Sequence, residues 1–250
     1  MSVIKFNNHQ WEKILSFLKT CQNIYIGQES DCRNFLEAVF WITRSGSQWR
    51  LLPLSYGNCN SIYKRFARWS EPWHLWKTFW AFFFGQRSWI SAHWFNHCAF
   101  ARLCCRSKKK HGCQSLGRSR GGFSTKIHLA TDALGNAIGF ILTGGQRNDI
   151  TEAEQLLENL FPDYVIADKG YDSDKFVLLL KKRNAEVVIA SRVNRKIQRV
   201  IDTDLYKERH LIECCIGKLK HFRRVFSRFD KLAKNYLSFV QFASTIVWLR

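Results

Sequence analysis

One aspartate in this sequence stands where a short apolar segment meets a turn. Residues Tyr164–Ala167 have the composition of a buried β-strand, and Asp168 follows them directly. Ligands gather at strand ends in α/β sheets, and a carboxylate held rigidly there suits a divalent cation such as Mg2+. The alternative is a structural role, in which Asp168 caps the turn that leads into Gly170.

A second group of polar residues is spaced for one face of a helix. Four residues follow one another at intervals of three, four and seven: Tyr206, Arg209, Glu213 and Lys220. This spacing predicts that all four lie near one side of a single helix. Glu213 offers a further oxygen ligand for Mg2+, and Arg209 and Lys220 can hold phosphates beside it. The alternative is an exposed helix with ion pairs along its own surface.

The charge balance indicates a polyanionic partner. The chain holds 39 Lys and Arg against 20 Asp and Glu, a formal net charge of +19, and such a surplus favours nucleic acid. One cationic run contains no acidic residue: Arg102, Arg106, Lys108, Lys109, Lys110, Arg118, Arg120 and Lys126. A second cationic stripe follows later: Lys218, Lys220, Arg223, Arg224 and Arg228. Both are predicted to contact DNA phosphates, the alternative being two solvated faces.

The amino-terminal part of the chain is predicted to be helical. Asn7 and Gln10 have the spacing of a capping box, apolar residues recur at helical spacing from Trp11 onward, and a second helix is expected to stop at Gly46. A third helix follows, and three of its cations lie among aromatic residues: Lys64, Arg65 and Arg68. This pattern is typical of a helix-turn-helix element that meets phosphates; a solvated face is the alternative.

After these helices the pattern changes to strands that alternate with helices, which predicts an α/β fold. Residues 123–130 and 137–142 are expected to form a hairpin. Further elements are predicted in this order: a helix over 151–160, the strand before Asp168, a helix over 174–183, a strand over 187–190, and a final helix or pair of helices from Tyr206. We therefore divide the chain into a helical DNA-binding domain, 1–90, and an α/β domain, 91–250, that contains the candidate metal-binding carboxylates.

Cysteine and apolar content predict a cytoplasmic protein with reduced thiols. The nine cysteines are an odd number without Cys-x2-Cys spacing, which argues against a disulfide framework. The apolar tracts are shorter than the ~20 residues of a membrane-spanning helix, and no secretion signal is evident. One group of residues could hold zinc, although its spacing fits no common pattern: His93, His97, Cys98, Cys104, Cys105, His111 and Cys113.

Several motifs resemble one known family. The Tyr206-x2-Arg209-x3-Glu213-x6-Lys220 pattern is similar to the signature of the insertion-element four/five superfamily of bacterial DDE transposases. Residues 167–172 (ADKGYD) look like the segment that holds its second aspartate. The stretches 116–128, 230–237, 49–53 and 63–66 resemble the type-five branch. The likeness extends essentially from Trp11 to the end of the chain.

The resemblance implies a fold, a reaction and partners. The fold would be a ribonuclease-H-like, or retroviral-integrase-like, mixed-sheet core after a small helix-turn-helix-like domain. Asp168 and Glu213 would be catalytic carboxylates that bind Mg2+, with Mn2+ as a substitute, in a site where three carboxylates hold two ions. The partners would be the terminal inverted repeats of an insertion sequence and a target DNA. A homodimer on DNA, associated with the bacterial nucleoid, would join the two ends.

The chain departs from this family at the first catalytic aspartate. The family has Asp-Ser-Thr-x-x-Arg-x-His there, and alignment on Arg102 puts His97 at the aspartate position. No Asp or Glu occurs between Glu71 and Asp132, and a neutral imidazole is a poor ligand for Mg2+. Weak or absent catalysis is therefore expected. Asp132 is a possible substitute, although its turn sequence favours a structural role, and Asp149 is a less favoured one.

Three hypotheses about function remain open from the sequence. The first is a transposase that binds inverted repeats and catalyses cleavage and strand transfer. The second is an inactive remnant of such an enzyme that retains DNA binding. The third, from a different class, is a zinc-containing DNA-binding regulator built around the Cys and His group.

Overall fold

The structure is a computed structural model that describes residues 4–21, 24–71, 90–94, 98–99, 114–119 and 122–249, with the backbone alone for 90–94 and 98–99. The helices are α1 (Asn8–Thr20), α2 (Glu29–Ser45), α3 (Cys59–Trp69), α4 (Ala153–Leu156), α5 (Asp174–Lys182), α6 (Thr203–Lys207), α7 (His210–Lys220), α8 (Arg223–Phe226) and α9 (Ala233–Trp248). The strands are β1 (Ile90–Trp94), β2 (Cys98–Ala99), β3 (Gly117–Ser119), β4 (Gly122–Asp132), β5 (Ala137–Gly144), β6 (Tyr164–Ala167) and β7 (Glu186–Ile189).

Local sequence signals set the ends of the amino-terminal helices. The predicted capping box is present at α1, where the Asn7 side chain accepts from the Gln10 backbone and the Gln10 side chain accepts from the Asn7 backbone. Gly46 ends α2 in the left-handed region at φ 69°, a conformation that costs glycine little. Asn58 caps α3 through hydrogen bonds from two backbone amides. The three predicted amino-terminal helices are thereby confirmed.

The carboxy-terminal helices pack with the amino-terminal ones. Both α8 and α9 contact α2. The rings of Phe66 in α3 and Phe239 in α9 stack at 4.4 Å between centroids, and Phe40 of α2 meets Phe242 of α9 edge-on. Most of α9 is buried, so its apolar sequence forms core. No helix among the described residues is long and apolar enough to span a membrane.

Two sheets organise the rest of the described chain, one of five antiparallel strands and one of two parallel strands. Strand β4 pairs antiparallel with β1 and with β5 over overlapping residues, so these two partners lie on opposite edges of it. Strand β2 continues the pairing of β1 along β4, and β3 forms a hairpin with β4. Strand β1 lies beside β6, and β6 pairs parallel with β7. The spatial order is therefore β5-β4-β1-β6-β7, in which β1 and β6 are neighbours that belong to two different sheets.

The predicted α/β elements are present with changed lengths. The hairpin, the strand before Asp168 and the helix over 174–183 are confirmed by β4, β5, β6 and α5. The predicted helix over 151–160 is shorter: a 3-10 turn, Asp149–Glu152, leads into α4. The core here joins Val165, Ala167 and Ile189 of the parallel strands to Phe176 and Leu180 of α5, because apolar residues recur on one face of that helix.

The chain forms two compact units, and each is discontinuous in sequence, unlike the two continuous segments predicted. The first comprises the amino-terminal helices together with residues 219–249, and the second comprises β1–β7 and the residues that follow up to 218. Residues 219–249 return to the first unit because α9 is too apolar to remain exposed. Its burial is supplied by α2 and α3, which a linear division of the sequence does not reveal.

Candidate functional site

Asp168 lies at the carboxyl end of β6 and caps the turn that follows. Its Oδ1 accepts a hydrogen bond of 2.8 Å from the backbone of Gly170, within the 3-10 turn Lys169–Tyr171. A Cβ on Gly170 would stand 2.8 Å from the same oxygen, so glycine permits this tight arrangement. Within the described residues, Oδ2 of Asp168 receives no hydrogen bond. The capping role therefore occupies one carboxylate oxygen and leaves the other for a ligand.

An arginine clamp holds the segment that follows Asp168. We use this name for Arg192, Arg195 and Arg199 with the groups that they bind. The Asp172 carboxylate, whose side chain is fully buried, lies 2.6 Å from Nε of Arg195 and 2.6 Å from Nη2 of Arg199. It also accepts 2.7 Å from the backbone N–H of Arg192. Burial raises the pKa of Asp172, but these donors outweigh it and hold the pKa below its usual range.

The same clamp binds the turn directly after Asp168. The Arg192 guanidinium donates to the carbonyls of Lys169 and Gly170 at 3.1 and 2.8 Å. Since carbonyls are fixed by the backbone, these bonds restrict the turn that Asp168 caps. Sequence analysis did not identify the clamp. Its signal was the repeated arginine at intervals of three and four after β7, a helical spacing in a segment that forms no helix.

Asp149, the less favoured substitute, belongs to the surroundings of the Asp168 turn. Its 3-10 turn packs against Lys169–Tyr171. The pKa of buried Tyr171 is raised above its usual range, first by burial and then by the charges of Asp149 and Asp168. Asp149 is paired, however, with the buried Lys126 ammonium at 2.9 Å. That cation disfavours binding of a dication at the same carboxylate, and it removes Lys126 from the predicted DNA surface.

A buried histidine lies near the same carboxylate oxygen of Asp149 that Lys126 contacts. Nδ1 of His128 is 3.8 Å from Oδ1 of Asp149, and Nε2 is 2.7 Å from Oγ1 of Thr143. Burial lowers the pKa of His128 to about 4, more than the nearby Asp149 and Glu152 raise it. The imidazole is therefore neutral at pH 7, and its contact with Asp149 is not an ion pair.

The Asp132 carboxylate is hydrogen-bonded within its own turn. Its Oδ1 accepts from the backbones of Leu134 and Asn136 at 2.9 and 2.8 Å, and the residue is buried. These hydrogen bonds occupy lone pairs of the carboxylate that a metal ion would need. The structural role that the sequence favoured for Asp132 is confirmed.

The predicted single helix around Glu213 is instead two helices. Tyr206 lies in α6 and Glu213 in α7, with Glu208 and Arg209 between the two helices. Nη2 of Arg209 is 3.6 Å from Oε1 of Glu213, and its guanidinium lies over the Tyr206 ring at 5.6 Å. The three residues are thus brought together in spite of the break. Glu213 is exposed and its contact with Arg209 leaves room for other ligands.

The β4–β5 hairpin fixes the start of α7. Gly135 has φ +76°, and a Cβ there would lie 3.0 Å from the Leu211 carbonyl oxygen. The buried Cys215 thiol is hydrogen-bonded to the backbone of Ala137. The turn that Asp132 organises therefore touches the helix on both sides of Glu213.

Asp168 and Glu213 are the two predicted metal ligands that lie among the described residues, and each has a carboxylate oxygen of the type that divalent cations bind. Mg2+ is commonly held by one or two carboxylates with phosphate and water oxygens, so this donor pair fits one ion. Across the described part of the chain, no three His, Cys, Asp or Glu side chains are grouped for a metal. His97 lies outside the described residues, as do all members of the zinc hypothesis except the backbones of His93 and Cys98.

The predicted DNA-contacting residues fall into three groups. Exposed ones are Lys64 and Arg68 on α3, Arg118 on β3, Lys220 at the end of α7, and Arg223. Those outside the described residues are Arg102, Lys108, Lys109, Lys110 and Arg120. Three differ from the prediction because their guanidinium groups serve the fold. Fully buried Arg228 donates to the carbonyls of Asp230 and Lys231 at 2.9 and 2.8 Å. Arg65 donates to the Ile26 carbonyl at 2.8 Å, and buried Arg224 forms a double contact with Asp230 at 3.1 and 3.0 Å.

Two family models match the chain. One, described as "Putative transposase of IS4/5 family", matches residues 6–80. The other, described as "Transposase DDE domain", matches residues 99–246. The first therefore covers the amino-terminal helices, and the second covers the sheet and the helices after it.

Two curated proteins are similar over about half of the chain. The "Putative transposase for insertion sequence element IS6501" of Brucella ovis is 36% identical over 129 residues, 51% of this chain and 99% of that protein. The "Putative transposase for insertion sequence element IS402" of Burkholderia cepacia is 31% identical over 152 residues, 56% of this chain and 69% of that protein. No solved structure matches the chain.

Proposed function

The chain belongs to the DDE transposases of insertion sequences, and from this premise we propose that it binds the terminal inverted repeats of its element. The proposed reaction is DNA cleavage and strand transfer at Asp168. The observation that carries the proposal is the position of Asp168 at the carboxyl end of β6, beside β1, with one carboxylate oxygen available. The strand order β5-β4-β1-β6-β7 supports a ribonuclease-H-like core for this reaction.

The proposed chemistry is phosphoryl transfer. A water oxygen attacks the phosphorus at the element's end, the P–O3′ bond breaks, and the departing oxygen takes a proton to become a 3′-hydroxyl. In the second step that hydroxyl attacks a target phosphate and a P–O bond of the target breaks. When bound, a divalent ion stabilises the charge that develops on the phosphoryl oxygens. Asp168 and Glu213 would hold it, and the family generally uses such ions; Mg2+ or Mn2+ is our proposal.

The chain's own residues orient the DNA in this proposal. Arg209, held between Glu213 and the Tyr206 ring, would contact a phosphate beside the reacting one. The arginine clamp keeps the Asp168 turn in one conformation, so that the carboxylate does not reorganise when DNA binds. Exposed cations on α3, Lys64 and Arg68, would contact the repeat away from the reacting phosphate. Two ends must be joined, so a homodimer on DNA is the expected assembly, within the bacterial cytoplasm at the nucleoid.

A second candidate function is DNA binding without catalysis. The observation that favours it is His97 at the position of the first family aspartate, in a stretch without acids from Glu71 to Asp132. Neither Asp132, which is held in its turn, nor Asp149, which is paired with Lys126, offers an unengaged carboxylate. Loss of a carboxylate from a site built for dications is expected to lower the rate strongly. The zinc regulator is disfavoured because it gives Asp168 and Glu213 no role.

One comparison tests both candidates. DNA that carries the element's own ends is incubated with the unaltered chain and with His97→Asp, in Mg2+ and then in Mn2+, and cleavage is followed on a sequencing gel. Cleavage by His97→Asp alone would mean that the site is intact and that this chain is silenced. Equal cleavage by both would mean that another group completes the site. Asp168→Asn within the His97→Asp background is the control, and it must abolish cleavage.

A further inference from the structure

A basic segment beside Asp168 presents aliphatic side chains to solvent. Residues 191–200, which we call the arch, follow β7 and have no helix or strand. Val193 and Ile197 are 82% and 83% exposed, and Val200 is fully exposed. Three large aliphatic side chains exposed within eight residues are unusual in a segment that is otherwise polar. They do not serve the core of the unit that contains them.

The arch is fixed in place although it lacks regular structure. Arg195 and Arg199 bind the buried Asp172 carboxylate, and Arg192 binds the carbonyls of the turn after Asp168. Ser191 accepts a hydrogen bond of 2.9 Å from the Arg199 backbone, which closes the arch across its base. The aliphatic side chains therefore project from a segment whose two ends are tied to the Asp168 turn.

The charge of the arch indicates its partner. Four cations lie in it, Arg192, Arg195, Lys196 and Arg199, against the two carboxylates of Asp172 and Asp174 that the clamp binds. Arg192 contacts neutral carbonyls, and the exposed Lys196 makes no ion pair within the described residues. The surplus positive charge therefore faces outward with the aliphatic side chains, and a polyanion is the complementary occupant.

We propose that the arch binds the DNA duplex next to the phosphate that Asp168 addresses, with Lys196 on the phosphate backbone and Val193, Ile197 and Val200 on sugar and base surfaces. The inference rests on the proposed function and adds a contact surface to it. Aliphatic side chains that enter a groove or a base step are an established way for proteins to hold deformed DNA. Because the clamp joins the arch to the Asp168 turn, DNA bound on the arch is held at a fixed place relative to that carboxylate.

The phosphate contact of Lys196 and the aliphatic contacts of the arch are expected to differ in how the binding constant depends on salt. Binding of the full chain to a fluorescein-labelled random-sequence duplex is measured by anisotropy over a range of salt concentrations. Lys196→Ala is expected to reduce the slope of log K against log salt by about 0.9, the loss of one phosphate contact. Val193→Ser/Ile197→Ser/Val200→Ser is expected to weaken binding about tenfold without a change in slope.

The matched control is Phe161→Ser/Leu178→Ser, which removes two exposed apolar side chains of the same unit outside the arch. Its binding is expected to equal that of the unaltered chain. The proposal is overturned if the triple arch variant binds as well as the unaltered chain, or if the control weakens binding equally. It is also overturned if sedimentation shows that the triple variant changes the self-association of the free protein. Failure of the unaltered chain to bind the duplex at low salt would instead reject the proposed function itself.

Discussion

Asp172 accepts a hydrogen bond of 2.6 Å from Nε of Arg195, which lies 23 residues further along the chain. This bond joins the loop after β6 to the segment after β7, and it anchors the turn that carries Asp168. The neighbouring Asp174 also contacts Arg195, at 2.7 Å, but its side chain is 75% exposed. The two carboxylates therefore differ in burial while they share a partner.

Asp172→Asn is expected to destabilise the fold much more than Asp174→Asn. The first leaves Arg195 and Arg199 beside a neutral side chain in a buried site, which costs about 3 kcal/mol. The second removes an exposed ion pair that solvent screens, so it is expected to change stability little. Urea unfolding of both variants at pH 7 provides the measurement. Equal losses would mean that the clamp does not depend on the buried carboxylate.

His128 is expected to make stability depend on pH between its ordinary and its lowered pKa. Burial lowers its pKa from 6.5 to about 4, so the unfolded chain binds a proton in this range that the folded chain does not. The contribution of the neutral histidine to the free energy of unfolding is fully present above pH 6.5. It declines as the pH falls towards 4, by about 3 kcal/mol in total. Urea unfolding across this range, repeated with His128→Gln, measures it. A histidine that titrates near 6.5 by NMR would contradict the expectation.

Gly135→Ala is expected to disturb α7, whereas Gly217→Ala is not. The first adds a Cβ at φ +76° and 3.0 Å from the Leu211 carbonyl, which costs about 1–2 kcal/mol from the backbone alone. At Gly217 nothing lies within 4 Å of the added Cβ, and alanine stabilises a helix by about 0.5–1 kcal/mol. Thermal unfolding separates the two. An unchanged melting temperature for Gly135→Ala would mean that the hairpin does not fix the start of α7.

The cations of α3 are expected to separate into a structural one and two DNA-binding ones. Arg65→Ala removes a guanidinium that binds the Ile26 carbonyl and lies 4.6 Å from the Phe35 ring, so stability should fall by about 1–3 kcal/mol. Lys64→Ala/Arg68→Ala should retain stability, because both side chains are exposed, and should weaken DNA binding with a smaller salt slope. Unfolding and anisotropy on the same samples measure both effects. A double variant that binds DNA normally would exclude α3 from the contact surface.

The local elements and the family could be predicted from the amino-acid sequence alone. Capping at Asn7, the left-handed glycine at Gly46 and the strand before Asp168 depend on neighbouring residues, and short-range periodicity specifies them. The motif around Asp168 and Glu213 carried the family resemblance that both family models confirm. The roles of the site residues, the metal and the DNA contacts remain predictions.

Tertiary packing, by contrast, sets which cations stabilise the fold and which distant segments contact one another. Half-buried Arg65 and buried Arg224 have the same sequence pattern as exposed Arg68 and Arg223. A guanidinium removed from water needs a partner, and packing sets the partners, Ile26 and Asp230. In the same way Asp172 meets Arg195 only because β6 and β7 pair in parallel. Charge patterns report where cations occur along the chain, whereas burial, which depends on residues distant in sequence, decides what each of them can bind.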